Sequence, residues 1–212
     1  MMREYHKIET VFERDTDGTK KLIEGKFRNK TVEFLKNNTW RFTEKIDGTN
    51  IRIYWDGHAI SFGGRTDRAQ IPKHLMDRLN ELFSNTATEE LFEQEFGEKE
   101  VILFGEGYGT KIQKVGGLYR PDVDFILFDV MVNGIYLNRF NVEKVAETFG
   151  IEVVPIVLEG TISDAVAFVK THPVSTIGQA PMEGVVGRPQ IEILDRLGNR
   201  VIVKVKSCDF AE

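Results

Sequence analysis

Six charged residues fall on short glycine-bearing or strand-like stretches whose chemistry is that of phosphate. They are Lys45 in KIDG, Arg65 in FGGRT, Glu106 in FGEG, Glu183 in EGVVG, and Lys204 with Lys206 in VIVKVK. Taken alone, each has an ordinary use as a solvated residue at a strand end. The last pair adds information. Lys204 and Lys206 are separated by one valine, so on a strand both project from one face while Val201, Val203 and Val205 take the other. On that pattern alone the ammonium groups face water. Beside a separate lysine nucleophile they acquire a second use, because two cations disfavour the protonated form of a third and stabilise charge on a phosphate under attack.

The elements that would carry these residues follow from hydrophobic period and turn signals. HKIETVF and KKLIEGKF read as extended pieces joined by the turn RDTDGT. TWRFTEKI, NIRIYW and AISFGG follow as strands. In the second, Ile51, Ile53 and Trp55 alternate with Arg52 and Tyr54, and Asp56-Gly57 signals a hairpin. Pro72 opens a helix over IPKHLMDRLNELF, with Leu75, Leu79, Leu82 and Phe83 as one apolar stripe. A second, acidic helix covers TEELFEQEF. VILFGEG is a buried strand, YGTKIQKVGGLYRPD a loop, and FILFDVMV a strand turned back at Asn133-Gly134 into IYLNR. Helices are expected at NVEKVAETF and ISDAVAFVKTH with the strand VVPIVL between them. EGVVGRP and a hairpin around Leu197-Gly198-Asn199 lead into the lysine strand. The expected fold is one α+β domain on antiparallel sheet, spanning residues 1–212.

Composition bounds the classes. With 212 residues and 41% hydrophobic content, the chain is long and apolar enough for a real core. No apolar run approaches the ~20 residues of a membrane span, and MMREYHKIE lacks the apolar stretch of a signal peptide. One cysteine, Cys208, excludes an internal disulfide and a cysteine-built zinc site; it is expected in packing. The four histidines match no metal spacing. A reducing compartment, the cytoplasm, is expected, with no membrane partner. Net charge is −5, which argues weakly against a polyanion, but the distribution is uneven. Residues 81–100 are rich in glutamate, whereas Gly107 to Pro121 holds Lys111, Lys114 and Arg120 and no acid. That basic stretch is either a solvated loop or a contact to nucleic-acid phosphates.

The order of the motifs resembles the covalent nucleotidyltransferases, the superfamily of ATP-dependent DNA and RNA ligases and capping enzymes. KIDG is similar to the nucleophile motif, SFGGRT to the next, FGEG to the third, FILFDV to the aromatic strand that stacks on the base, EGVV to the fourth and VKVK to the fifth. The likeness runs from about residue 40 to the C-terminus. Position 50 narrows it. DNA ligases typically carry arginine two residues after the motif glycine; here Asn50 stands there, in KIDGTN, as in the nick-sealing (type 2) RNA ligases. YHKIETVFER resembles the opening of the same family.

This resemblance implies an antiparallel-sheet, ATP-grasp-like adenylation domain with flanking helices. It implies ATP and Mg²⁺, with Mn²⁺ as a substitute, and an RNA substrate with 5′-phosphate and 3′-hydroxyl ends, including a nicked duplex. Lys45 would form a lysyl-AMP, and Lys204 and Lys206 would contact the α-phosphate. Glu106 would fix the ribose hydroxyl and help orient the metal, and Glu183 would hold the metal through water. Arg65 would bind ribose or phosphates. Asn50 would sense the 3′-hydroxyl terminus or the ATP phosphates. Glu44 would accept a hydrogen bond from the adenine amine. Phe128 would stack on adenine, with Phe125 as competitor; on strand pattern alone either is a core aromatic. The chain ends six residues after Lys206, leaving no room for the appended OB-fold or helical domain usual in such ligases, so the expectation is a minimal ligase, a truncated catalytic domain, or one subunit that needs an accessory protein. A DNA ligase, a GTP-using capping enzyme and a non-catalytic nucleic-acid-binding module of the same fold are the alternatives.

Overall fold

A computed structural model describes residues 2–18 and 21–210. In chain order the strands are β1 (Glu9–Thr10), β2 (Phe12–Arg14) and β3 (Leu22–Phe27), followed by helix α1 (Lys30–Phe34) and strands β4 (Trp40–Lys45), β5 (Thr49–Trp55) and β6 (Ile60–Gly63). Helices α2 (Lys73–Phe83) and α3 (Thr86–Phe96) lead to β7 (Val101–Gly109), the short α4 (Gly116–Tyr119), β8 (Val123–Val132) and β9 (Ile135–Tyr136). The rest comprises α5 (Arg139–Phe149), β10 (Glu152–Val153), β11 (Ile156–Gly160), α6 (Ile162–Lys170), β12 (Gly184–Pro189) and β13 (Val203–Lys206). The α+β expectation holds, with mainly antiparallel pairing; the parallel exceptions are β1 with β13 and β10 with β8. Of the expected RDTDGT turn and KKLIEGKF strand, Thr19 and Lys20 lie outside the described residues.

The chain forms two compact units. The first holds residues 2–6 and 47–154 of the described chain. Its sheet runs in the order β10-β8-β7-β5-β6, with β9 on β8. One sheet face is apolar because Ile51, Ile53 and Trp55 of β5 and Val101 and Leu103 of β7 alternate onto it. Leu75, Leu79 and Phe83 of α2 and Phe92 of α3 cover it. The other face carries Phe104 and Ile102 with Tyr5 from the N-terminal segment, and polar residues further along.

The second unit holds residues 7–46 and the described residues from 155 onwards. Its main sheet runs β1-β13-β12-β4-β11, beside the small β2-β3 hairpin. Trp40, Phe42, Val185, Val203 and Val205 form its apolar face, packed with Ile162, Ala165 and Val169 of α6. That helix starts with a reciprocal cap, Thr161 and Asp164 satisfying each other's backbone N–H groups.

Three local expectations change. VVPIVL is not one strand: Val153 ends β10 in one unit and Ile156 begins β11 in the other, with Pro155 between them. Proline has no N–H for a ladder bond, so the run breaks there. The loop after β7 contains α4, and Cys208, expected in packing, is exposed. Among the described residues no helix is long and apolar enough to cross a membrane.

Candidate functional site: a lysine row and a polar sheet face

In the second unit, strand register assembles the lysines. Lys45 of β4 pairs with Gly184 of β12, and Gly184 pairs with Lys206 of β13, so the two lysines flank a glycine in one cross-strand row. The next row on the same face holds Thr43, Val186 and Lys204. Because Trp40, Phe42, Val203 and Val205 take the core face, Lys45, Lys204 and Lys206 must share the opposite one. Gly184 has φ +150°, and a Cβ there would lie 2.1 Å from the Val205 carbonyl oxygen, so the row tolerates no side chain between its lysines.

Glu183 joins the row. Lys45 Nζ donates to its Oε2 at 2.5 Å, and Lys206 Nζ lies 2.8 Å from its Oε1. Ser207 anchors this corner: its N–H donates to the Glu183 carbonyl at 2.9 Å and its hydroxyl to the Met182 carbonyl at 2.7 Å. Lys206 is held above the ordinary lysine range. Burial alone would lower it, but the Glu183 hydrogen bond and charge outweigh that. Lys204 is held below the range, first by partial burial and then by the charges of Lys45 and Lys206. The cluster therefore contains one cation whose charged form is disfavoured, poised to gain from an anion.

Glu44 lies on the core face of β4. Its carboxylate is almost wholly buried. Oε2 accepts from the Thr176 N–H at 2.9 Å and the Thr176 hydroxyl at 2.6 Å. Oε1 is buried and has no hydrogen-bond partner among the described residues.

The first unit supplies a polar sheet face. Asn50 of β5 pairs directly with Glu106 of β7, next to the row of Arg52 and Phe104. Asn50 Oδ1 is buried without a partner among the described residues. Gly48, just before β5, approaches β7 so closely that a Cβ would lie 2.3 Å from the Gly107 carbonyl oxygen and 2.7 Å from Glu106 Cγ. The glycines of KIDG and FGEG are thus one close backbone contact. Tyr119 Oη accepts from the Asp47 N–H at 3.2 Å, and Gln113 donates to the Gly48 carbonyl at 2.8 Å, fixing the same turn.

Phe128 reaches this face through a β-bulge. Phe104 pairs with Asp129 and Gly105 with Leu127, so Phe128 is the extra residue, and it turns to the Tyr5 and Phe104 side. Its ring meets Tyr5 edge-on at 5.0 Å. Phe125 packs in the apolar core against Phe83. Asp129 is fully buried and accepts from Tyr5 Oη at 2.8 Å.

Arg65 is exposed on the loop after β6. Its loop is tied by Arg52, a fully buried guanidinium that sequence reading treats only as the polar member of an alternating strand. Arg52 Nε donates to the Gly64 carbonyl at 2.7 Å, Nη2 to Asp67 Oδ1 at 2.9 Å and Nη1 to the Met2 carbonyl at 2.7 Å. Of the basic stretch, Lys111 and Lys114 are exposed. Arg120 is committed to Asp122 and Asp124, both at 2.5 Å, two acids beyond the acid-free stretch.

No group of three or more His, Cys, Asp or Glu suited to a metal occurs among the described residues. Glu183 is a hard oxygen donor of the type Mg²⁺ takes once or twice, with phosphate and water completing its shell. It therefore fits a metal held largely by a nucleotide and not a protein cage.

The architecture and the motif row define a nucleotidyltransferase-type domain. The chain belongs to the RNA ligase family, whose model matches residues 38–206. No curated protein matches it by sequence. Among solved structures it is similar to Naegleria gruberi RNA ligase with PPi, at TM-score 0.65 and 19% identity, covering 96% of this chain and 60% of that one. It is also similar to substituted forms of that ligase with ATP and Mn, at TM-score 0.64 and 20% identity, and with AMP and Mn, at 0.63 and 21%; each covers 96% of this chain and 60% of the other. The chain thus spans about three-fifths of the length of these structures.

Proposed function

We propose that this chain is the nucleotidyl-transfer part of an ATP-dependent RNA ligase working through a lysyl-AMP on Lys45. The observation that supports it most is the row Lys45–Gly184–Lys206 with Lys204 beside it, tied by Glu183. A nucleophilic amine, two further cations and a carboxylate are the groups that attack on a phosphate requires.

In the first step Lys45 Nζ, having lost a proton, attacks the α-phosphorus of ATP. A P–N bond forms, the bond to the bridging oxygen of the β-phosphate breaks, and pyrophosphate leaves. The ion pair with Glu183 opens first: the paired Lys45 is an ammonium without a lone pair, and its proton passes to water before the neutral amine attacks. Lys204 and Lys206 receive the negative charge that grows on the α-phosphate. In the second step a 5′-phosphate oxygen of the nucleic acid attacks the same phosphorus and Lys45 departs as the amine. In the third, a 3′-hydroxyl attacks the activated 5′-phosphate and AMP leaves. Glu106, Asn50 and Arg65 serve the nucleotide and strand ends, and Phe128 the adenine. Glu183 would hold Mg²⁺ or Mn²⁺, which would supply positive charge to the phosphates. Lys111 and Lys114 add affinity for RNA phosphates without sequence choice, and Arg120, with its charge already balanced, adds less.

Strand joining on 5′-phosphorylated nicked RNA, nicked DNA and single strands tests the substrate. Asn50 predicts sealing of nicks with RNA at the 3′-hydroxyl side and weaker sealing of all-DNA nicks. Equal or better sealing of all-DNA nicks would reject RNA as the substrate. Self-adenylation without sealing of any strand would limit this chain to the first step.

A further inference from the structure

Buried carboxylate oxygens are almost always hydrogen-bonded, because one left without a partner carries the full cost of its desolvation. Glu44 breaks that rule on one side only. Oε2 has two donors, both from Thr176, while the buried Oε1 has none among the described residues. Thr176 is not presented by a loose loop. Between α6 and β12 the Ser175 N–H donates to the Ala180 carbonyl at 2.8 Å, the Ile177 N–H to Ser175 Oγ at 3.2 Å, and Val174 bridges Pro181. The chain thus builds a holder that fixes one oxygen and leaves its twin as a single acceptor.

We propose that Thr176 is a positioning residue for nucleobase choice: by occupying Glu44 Oε2 it makes Glu44 a one-oxygen acceptor, matched to the exocyclic amine of adenine and mismatched to guanine. Adenine offers one amine group beside a ring nitrogen that is itself an acceptor, so one carboxylate oxygen suffices. Guanine offers two adjacent donors, its ring N1–H and its N2 amine, and binds a carboxylate well only when both oxygens are available. With Oε2 engaged at 2.6 Å and 2.9 Å, the second oxygen is not available. A site that leaves one donor of the wrong base unpaired rejects it by that desolvation. This inference rests on the proposed function and on the role that the family resemblance implies for Glu44, as acceptor from the adenine amine.

The test is covalent nucleotide labelling of the whole chain with ATP and with GTP. The proteins are wild type, Thr176→Val, Thr176→Ser and Glu44→Gln. Thr176 is exposed, so its variants keep the core. Thr176→Val keeps the backbone N–H bond but removes the hydroxyl donor, which frees one of the two accepting lone pairs of Oε2, and is expected to lower the ATP-over-GTP preference about tenfold, through apparent nucleotide affinity more than maximal rate. Thr176→Ser, which restores the donor, is expected to keep the wild-type preference; a general structural role would not be rescued in this way. An unchanged preference in Thr176→Val, with ATP labelling impaired in Glu44→Gln, would overturn the role of Thr176 and leave the role of Glu44 standing. Wild-type ATP labelling in Glu44→Gln would remove Glu44 from the base contact and the proposal with it.

Discussion

Lys204 is the residue at which structure and chemistry pull apart. Its ammonium is partly buried beside two other cations, which stability alone would not select. Its folded pKa lies below the ordinary 10.5, so between the two values the unfolded chain binds more protons and stability rises with pH. Lys204→Met is therefore expected to be more stable than wild type at neutral pH by a few tenths of a kcal/mol, since partial exposure screens the penalty. That advantage should fade as pH approaches 10.5, in melting curves taken across pH. The same substitution should slow lysyl-AMP formation about a hundredfold, by loss of one phosphate-facing cation. Glu183→Gln removes the charge shared by Lys45 and Lys206 and is expected to cost about 1 kcal/mol in thermal unfolding, as well as labelling. Most of this was legible in the sequence, because a two-residue lysine spacing on a strand fixes a shared face. Glu183 as the bridge was not, since strand register across β12 decides it.

Among the elements, the β5–β6 hairpin and its following loop show how a site residue is held from behind. Arg52 spends its guanidinium on Gly64, Asp67 and Met2, so the loop carrying Arg65 is tied at two points. Asp67→Ala, at a side chain 42% exposed, should leave the fold intact but speed amide exchange in the loop, most clearly at Ala69, whose N–H bonds the Thr66 carbonyl. Arg52→Met should cost several kcal/mol by leaving Asp67 and two carbonyls without their donor. Alternation along β5 was plain from Ile51, Ile53 and Trp55, and it placed Arg52 on the other face; its burial was not readable, because the N-terminal segment that covers it is distant in sequence. The bulge at Phe128 was hidden for a related reason. FILFDVMV is apolar almost throughout, so its period carries no mark of the residue at which the faces switch.

For the whole molecule, the sequence suggests a single α+β domain, and the structure resolves two compact units with the chain passing between them at residues 6/7, 46/47 and 154/155. No composition shift or linker marks any of these crossings. The last coincides with Val154-Pro155, where apolar residues on both sides disguise the change of sheet. The net charge of −5 also belongs to this scale: in the proposed function, affinity for RNA would have to come from local cations against an unfavourable overall field. Replacing Lys111 and Lys114 together by alanine is expected to reduce the salt dependence of RNA binding by a slope of about one to two, with little effect on self-adenylation. The proposal as a whole is tested most directly by incubating the chain with Mg²⁺ and α-labelled ATP, denaturing it and mapping the labelled peptide. It predicts one acid-labile adenylyl group on Lys45, absent from Lys45→Ala. No covalent label, or a label that persists in Lys45→Ala, would contradict it.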